Sequence, residues 1–301
     1  MRSRSAALRR FAGKLTIPLL AAGLITAGLA APAAAGPGPA GPSAPDRPVR
    51  VMSYNIHHGA GPDDRLDLTR IAAEIRDSDA DIVGLQEVDR HWSERSAFAD
   101  QAQELARMLH MHVVYGANLD RDPLNPGEPR RQYGTAILSD APIHEWQNTL
   151  LPRTGNLEQR GLLEALVTVR GVPVRVFTTH LQHNSQQERI AQIAAIREVI
   201  GMPQESVVLT GDLNARPDTP EIAAITEDLV DAWAEAGVGN GYTLSATNPY
   251  ARIDYVMHTD DVVARTAAVL STTGSDHLPV AADLELPGDK VGAGSSVRPA
   301  A

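Results

Sequence analysis

Cysteine is absent from the 301-residue chain. That excludes disulfides and a lipoprotein attachment thiol, so stability has to come from the core and from anything the fold binds. Aromatic residues are few, with three Phe and three Trp. No aromatic loop for docking at a lipid surface is evident, although Trp92 and Trp146 are available for a rim. A basic surplus is also lacking: 27 Lys and Arg face 37 Asp and Glu. An acidic chain does not hold duplex nucleic acid by bulk electrostatics, though a local site can still act on it.

Charge is missing altogether from residues 15–35, while Arg2, Arg4, Arg9, Arg10 and Lys14 precede them without an acid. With Ala33-Ala34-Ala35 as a small-residue cleavage site, residues 1–35 read as a secretory signal peptide. The alternative, an uncleaved anchor, has the length to span a bilayer, but Pro18, Gly23, Gly28 and Pro32 interrupt it. Cleavage lowers Lys plus Arg to 22 and takes the net charge from -10 to -15. It leaves no stable membrane span and makes the expected location extracellular. Residues 36–48 are a Gly/Pro/Ala-rich linker and 287–301 a disordered tail. The remaining 49–286 suit one α/β domain, expected to be a monomer.

Apolar residues at helical spacing predict helices over 66–76, 99–109 and 187–200. A shorter helix over 219–227 opens on Thr219-Pro220. Strands are expected at 113–116, 135–138, 163–169, 175–179, 207–210, 254–257 and 280–286. Residues 118–132 and 233–251 read as loops. A spacing recurs between the halves of the chain. Asn55 ends one apolar strand and Glu87 follows another 32 residues later; His180 and Asp212 do the same. Each half therefore reads strand, helix, strand, with polar residues at the strand ends. Two such sheets packed face to face, with helices outside, give a four-layer α/β/β/α sandwich with a polar floor at one edge.

That floor suits a hard cation and a phosphate. Glu87, at the end of a buried strand, is the best metal ligand. Asn55 can orient a ligand or a phosphate oxygen without competing for a proton. Asp212 and Asn214 alternate around Leu213, so on an extended segment both face the same way. Asp276 and His277 are adjacent and both reach a site only from a loop. His180, taken alone, has a structural role as its ordinary reading.

Six segments occur in order: Met52-Ser53-Tyr54-Asn55-Ile56, Leu85-Gln86-Glu87-Val88, Thr179-His180-Leu181, Gly211-Asp212-Leu213-Asn214, Arg252-Ile253-Asp254-Tyr255 and Ser275-Asp276-His277-Leu278-Pro279. Together they resemble the motif series of the endonuclease/exonuclease/phosphatase superfamily, the deoxyribonuclease I-like metal-dependent hydrolases, across the whole of 49–286. The resemblance implies a four-layer sandwich and phosphoester hydrolysis with Mg²⁺, or Mn²⁺ or Ca²⁺. It places Glu87, Asn55 and Asp276 around the metal. It makes His277 the base or proton carrier, held in its tautomer by Asp254. Asp212 polarises or deprotonates the nucleophile, Asn214 orients it, and His180 donates to the phosphate, stabilising its charge if cationic. Whether Asp212 or His277 takes the proton is open. Arg130, Arg131 and Tyr133 are expected to form a cationic lip, Arg160 a phosphate contact, and His57 a weaker substrate contact. The substrate expected first is a phosphodiester, with nuclease-type activity. A lipid headgroup or a phosphomonoester are the alternatives, and an inactive binding module or a structural cation-binding protein the rivals.

Overall fold

The computed structural model describes residues 47–288. The expected signal peptide, the linker up to residue 46 and the tail beyond 288 lie outside the described residues. Chain order runs β1 (Arg47–Asn55), α1 (Leu68–Asp77), β2 (Ile82–Arg90), α2 (Gln101–Leu109), β3 (His112–Arg121), β4 (Arg131–Ser139), β5 (Ile143–Leu150), β6 (Gly161–Val169), β7 (Val172–His180), α3 (Gln186–Ile200), β8 (Ser206–Asp212), α4 (Pro220–Ile225), β9 (Val230–Asp231), α5 (Ala232–Ala236), β10 (Asp254–His258), β11 (Val263–Val269) and β12 (Val280–Leu286). Two six-stranded mixed sheets result, ordered β11-β12-β1-β2-β4-β3 and β5-β6-β7-β8-β10-β9.

The repeated spacing has a direct structural meaning. β1 and β2 pair in parallel through α1, and β7 and β8 pair in parallel through α3. Asn55 lies beside Gln86, and His180 beside Asp212. Helix starts follow from capping side chains. Asp67, Asp100 and Ser185 each accept from the backbone N–H three residues on and open α1, α2 and α3. Pro220 stands in the first turn of α4.

Strand alternation divides the core into three layers. Val51, Ile82, Val176, Val208 and Val256 fill the space between the sheets. Met52, Val83 and Leu85 face α1 and α2, and Phe177, Val207 and Leu209 face α3 and α4. The sheets approach closely at Gly84. A Cβ there would stand 1.9 Å from Thr210 Oγ1 and 2.8 Å from Thr178 Oγ1. Gly84→Ala is therefore expected to push the sheets apart and destabilise the domain by roughly 1–3 kcal/mol. Urea unfolding reads this directly, and an unchanged midpoint would count against so tight an inter-sheet contact.

The strands extend beyond their expected bounds. β1 begins at Arg47, two residues ahead of the expected domain start at 49. Residues 118–132 are not one loop, since β3 runs to Arg121 and β4 starts at Arg131. β3 is an edge strand, so its end carries Asn118, Asp120 and Arg121 without an apolar alternation. Residues 233–251 contain most of α5. β5 and β11 had no sequence signal because most of their residues are exposed or half-buried. Among the described residues no helix is long and apolar enough to cross a membrane.

Candidate active site

The inner face of each parallel pair changes character along the strand. Apolar Val51, Ile82, Val176 and Val208 give way to Ser53, Gly84, Thr178 and Thr210. Then come Asn55, Gln86, His180 and Asp212, all of the same strand parity and all buried. Gln86 bridges the sheets at this level, donating to Thr178 Oγ1 at 2.9 Å. Asp254 opens β10 opposite Asp212, and the loop ahead of β12 brings in Asp276 and His277.

These groups are directly connected. Asn55 Nδ2 donates to Asp212 Oδ2 at 3.0 Å and to Glu87 Oε1 at 3.2 Å. His277 Nδ1 lies 2.9 Å from Asp254 Oδ2, and its Nε2 is 3.9 Å from Asp212 Oδ2. His180 Nε2 stands 3.4 Å from that same oxygen. Ser275 Oγ donates to the Asn55 carbonyl at 2.7 Å and accepts from His277 N at 3.1 Å, which pins the loop to β1.

Glu87 reaches this rim through a β-bulge. Between Leu85 and Val88 the β2–β4 register shifts, and Glu87 takes φ 57. One extra residue turns the carboxylate out of the pleat toward Asn55. Arg160 is buried, pairs with Glu158 at 2.8 Å and leaves its Nε without a hydrogen-bond partner. Tyr133 is buried against Trp92, with ring centroids 5.9 Å apart. Arg95 lies over both rings, at 5.8 Å and 5.5 Å, and Arg121 lies 4.6 Å from the Trp92 ring. Burial first, and then the Glu87 carboxylate, pushes the Tyr133 phenol well above its ordinary range.

Four expectations change. Asn55 turns its amide N–H toward both carboxylates and its oxygen toward His57 N, at 3.1 Å. It therefore orients the two carboxylates around it. Asn214 is not extended: its φ is 48, its N–H donates to Asp212 Oδ1 and its amide to the Leu181 carbonyl. It closes a turn that ties β8 to β7. His180 is neutral, because burial first, then Arg160 and His277, hold its pKa well below the ordinary histidine value. Arg130 is held by Asp120 and Asp122, and Arg131 donates to the Asp122 carbonyl. Those bonds occupy both arginines at the β3–β4 turn, and Tyr133 packs instead with Trp92, Arg121 and Arg95, the last held by Asp89 at 2.7 and 2.9 Å. Arg121 meets Trp92 only across the fold, so nothing local flags it, whereas Arg95 has Asp89 and Trp92 close in sequence and only Tyr133 distant.

The protonation pattern follows from crowding. Burial and the neighbouring Asp254 raise Asp212 to about 7, against the pull of His277 and Asn55. For His277, burial opposes the charge, but Asp254, and then Asp212 and Asp276, outweigh it and hold the pKa up to about 10. A folded value raised above the ordinary ~6.5 gives stability that is complete below about pH 6.5 and lost as pH rises through 10. The metal-free protein is expected to lose about 2 kcal/mol from this group between roughly pH 8 and pH 10. His277→Gln should flatten that limb in thermal unfolding, and parallel curves for the two proteins would contradict the assignment.

The donor set fits a divalent cation. Glu87, Asp212, Asp254 and Asp276 crowd one rim, and Asp254 Oδ1 is buried without a partner. Such an excess of carboxylate oxygen is what a hard cation neutralises.

A buried imidazole–carboxylate rim at the meeting ends of two packed sheets places the protein among α/β sandwich hydrolases. Residues 52–277 match the Endonuclease/Exonuclease/phosphatase family, and the chain belongs to it. No curated protein matches the sequence. Among solved structures it is similar to an endonuclease/exonuclease/phosphatase from Beutenbergia cavernae, with 28% identity over 80% of this chain and 72% of that one, at a TM-score of 0.70. It shares its fold with the Bacteroides thetaiotaomicron mannosyl-6-phosphatase (19% identity, 78% and 99% coverage, TM-score 0.64). The same holds for D. rerio TDP2 complexed with single-strand DNA product (21%, 79% and 99%, 0.58).

Proposed function

We propose that the chain is an exported, divalent-metal-dependent phosphodiesterase of nuclease type. One observation carries the reading: Asp212, hydrogen-bonded by Asn55 and approached by His180 and His277, sits beside Glu87 and next to a lip of tilted, packed aromatics and arginines. Half-buried Trp92, flanked by Arg95 and Arg121, suits contact with nucleobases and phosphates irrespective of sequence. The D. rerio relative bound to single-strand DNA is consistent with that choice. Export is supported by the composition of residues 1–35.

A bound divalent cation would supply charge neutralisation at a phosphoryl oxygen. Glu87 would hold it, with Asn55 fixing the Glu87 carboxylate and Asp276 close by, across His57. Asp212, with a pKa near 7, is matched to accept the proton of the attacking water at neutral pH. His277 stays cationic under Asp254 and donates to the phosphoryl oxygen as charge builds there. Neutral His180 and buried Arg160 bind the remaining oxygens.

A substrate panel tests this: plasmid DNA, RNA, sphingomyelin, phosphoinositides, a chromogenic diester and a sugar phosphate, each with Mg²⁺ and with chelator. Cleavage of nucleic acid and the diester, abolished by chelator, is the expected result. Turnover confined to the lipid or the monoester would overturn the nuclease assignment, and chelator-resistant cleavage would overturn metal dependence.

A further inference from the structure

His57 and His58 follow β1 in a single helical turn, His57–Gly59, beside the bulge that carries Glu87. One nitrogen from each ring and a Glu87 carboxylate oxygen lie within 4.8 Å of one another. Small side-chain rotations bring three such atoms to the ~2.0–2.2 Å that a single ion requires. We infer that His57, His58 and Glu87 form a mixed nitrogen–oxygen cation site, which takes a borderline divalent metal such as Zn²⁺ or Co²⁺ in preference to Mg²⁺. The inference rests on the metal-dependent reading above through Glu87 and names the class of ion that would stand at that carboxylate.

Several features prepare the donors. His57 Nδ1 lies 3.2 Å from the Ala60 carbonyl oxygen, which only accepts, and 3.8 Å from Asp276 Oδ1. In the tautomer that satisfies this contact the proton sits on Nδ1 and Nε2 carries the lone pair. A carbonyl or carboxylate behind a ligating imidazole is how metal sites fix its tautomer. His58 Nδ1 is buried with no hydrogen-bond partner, a condition that an ion at this point would explain. Buried Gln101, on α2, braces both halves of the site. Its Nε2 donates to the His58 carbonyl at 2.6 Å, and its Oε1 accepts from Asp89 N at 2.9 Å, two residues beyond Glu87. All three donor residues hold left-handed backbone, with φ of 43, 46 and 57. Such a conformation costs free energy for residues with a Cβ, and its coincidence at three converging donors points to a use. Two imidazoles and one carboxylate match Zn²⁺ and Co²⁺, whereas Mg²⁺ prefers oxygen alone.

The test is a Co²⁺ titration of the metal-free protein read by visible absorption, followed by competition with Zn²⁺ and with excess Mg²⁺. One Co²⁺ per chain, displaced by Zn²⁺ and retained in Mg²⁺, is the expected result. His57→Gln and His58→Gln should each weaken Co²⁺ binding by about 10–100-fold or more. His110→Gln, an exposed histidine that caps the end of α2, should change nothing. Thermal unfolding of the metal-free variants confirms that they fold, and if His58→Gln does not, His57→Gln carries the comparison. Equal Co²⁺ affinity in wild type and a folded histidine variant would overturn the inference, as would ready displacement by Mg²⁺. Such a result beside Mg²⁺-driven diester cleavage leaves the phosphodiesterase standing. Histidine-dependent Co²⁺ binding with no hydrolysis under any metal would remove the activity and keep the site.

Discussion

His277→Ala is expected to lower the rate of phosphodiester hydrolysis by about 10²–10⁴-fold, the range for loss of a positioned proton donor or acceptor. The imidazole is buried between two carboxylates: Asp254 at Nδ1, 2.9 Å away, and Asp212 at 3.9 Å from Nε2. Its charge persists through neutral pH because those carboxylates outweigh burial. Removing it deprives the phosphoryl oxygen of its donor and leaves Asp212 beside Asp254 without the intervening cation, which raises the Asp212 pKa further. The acidic limb of the pH–rate profile should then move to higher pH, and the alkaline limb near the His277 ionisation should vanish. A loss of rate with both limbs unmoved would assign His277 a packing role only. Stopped-time assays on a chromogenic diester across the pH range make the measurement.

Glu87→Gln should cost on the order of 10³-fold in kcat, equivalent to about 4 kcal/mol of charge stabilisation at the transition state. The substitution keeps the side-chain shape and an oxygen acceptor for Asn55 Nδ2, so the fold should remain intact. The loss should come with weaker metal binding and be partly recovered at high metal concentration. That recovery separates it from His277→Ala, which metal should not rescue. Wild-type turnover in the Glu87→Gln protein would place the cation elsewhere.

Much of this site is legible in the sequence because strand parity is a strict rule. Asn55, His180 and Asp212 stand where apolar alternation runs out, and the 32-residue spacing of Asn55 to Glu87 and of His180 to Asp212 marks two parallel pairs. The four-layer sandwich follows from the same pattern. Side-chain direction at the breaks in that pattern is less legible. Glu87 turns on a bulge and Asn214 on a left-handed residue, and neither is written in a period of two. The protonation of His180 depends on Arg160 and His277, distant in sequence, so its neutrality emerges only in three dimensions. The aromatic–arginine lip is a long-range assembly too: Trp92 and Arg95 follow β2, whereas Arg121 ends β3 and Tyr133 lies in β4. Arginine pairs within the β3–β4 turn took Arg130 and Arg131 out of play for the same reason.

The most direct test is an anomalous-difference map from a crystal soaked in Mn²⁺ and phosphate. A metal peak bonded to Glu87, with phosphate between His180 and His277, is the predicted result. A peak remote from Glu87, with phosphate outside the histidine pair, would contradict a single cation-centred site at this rim.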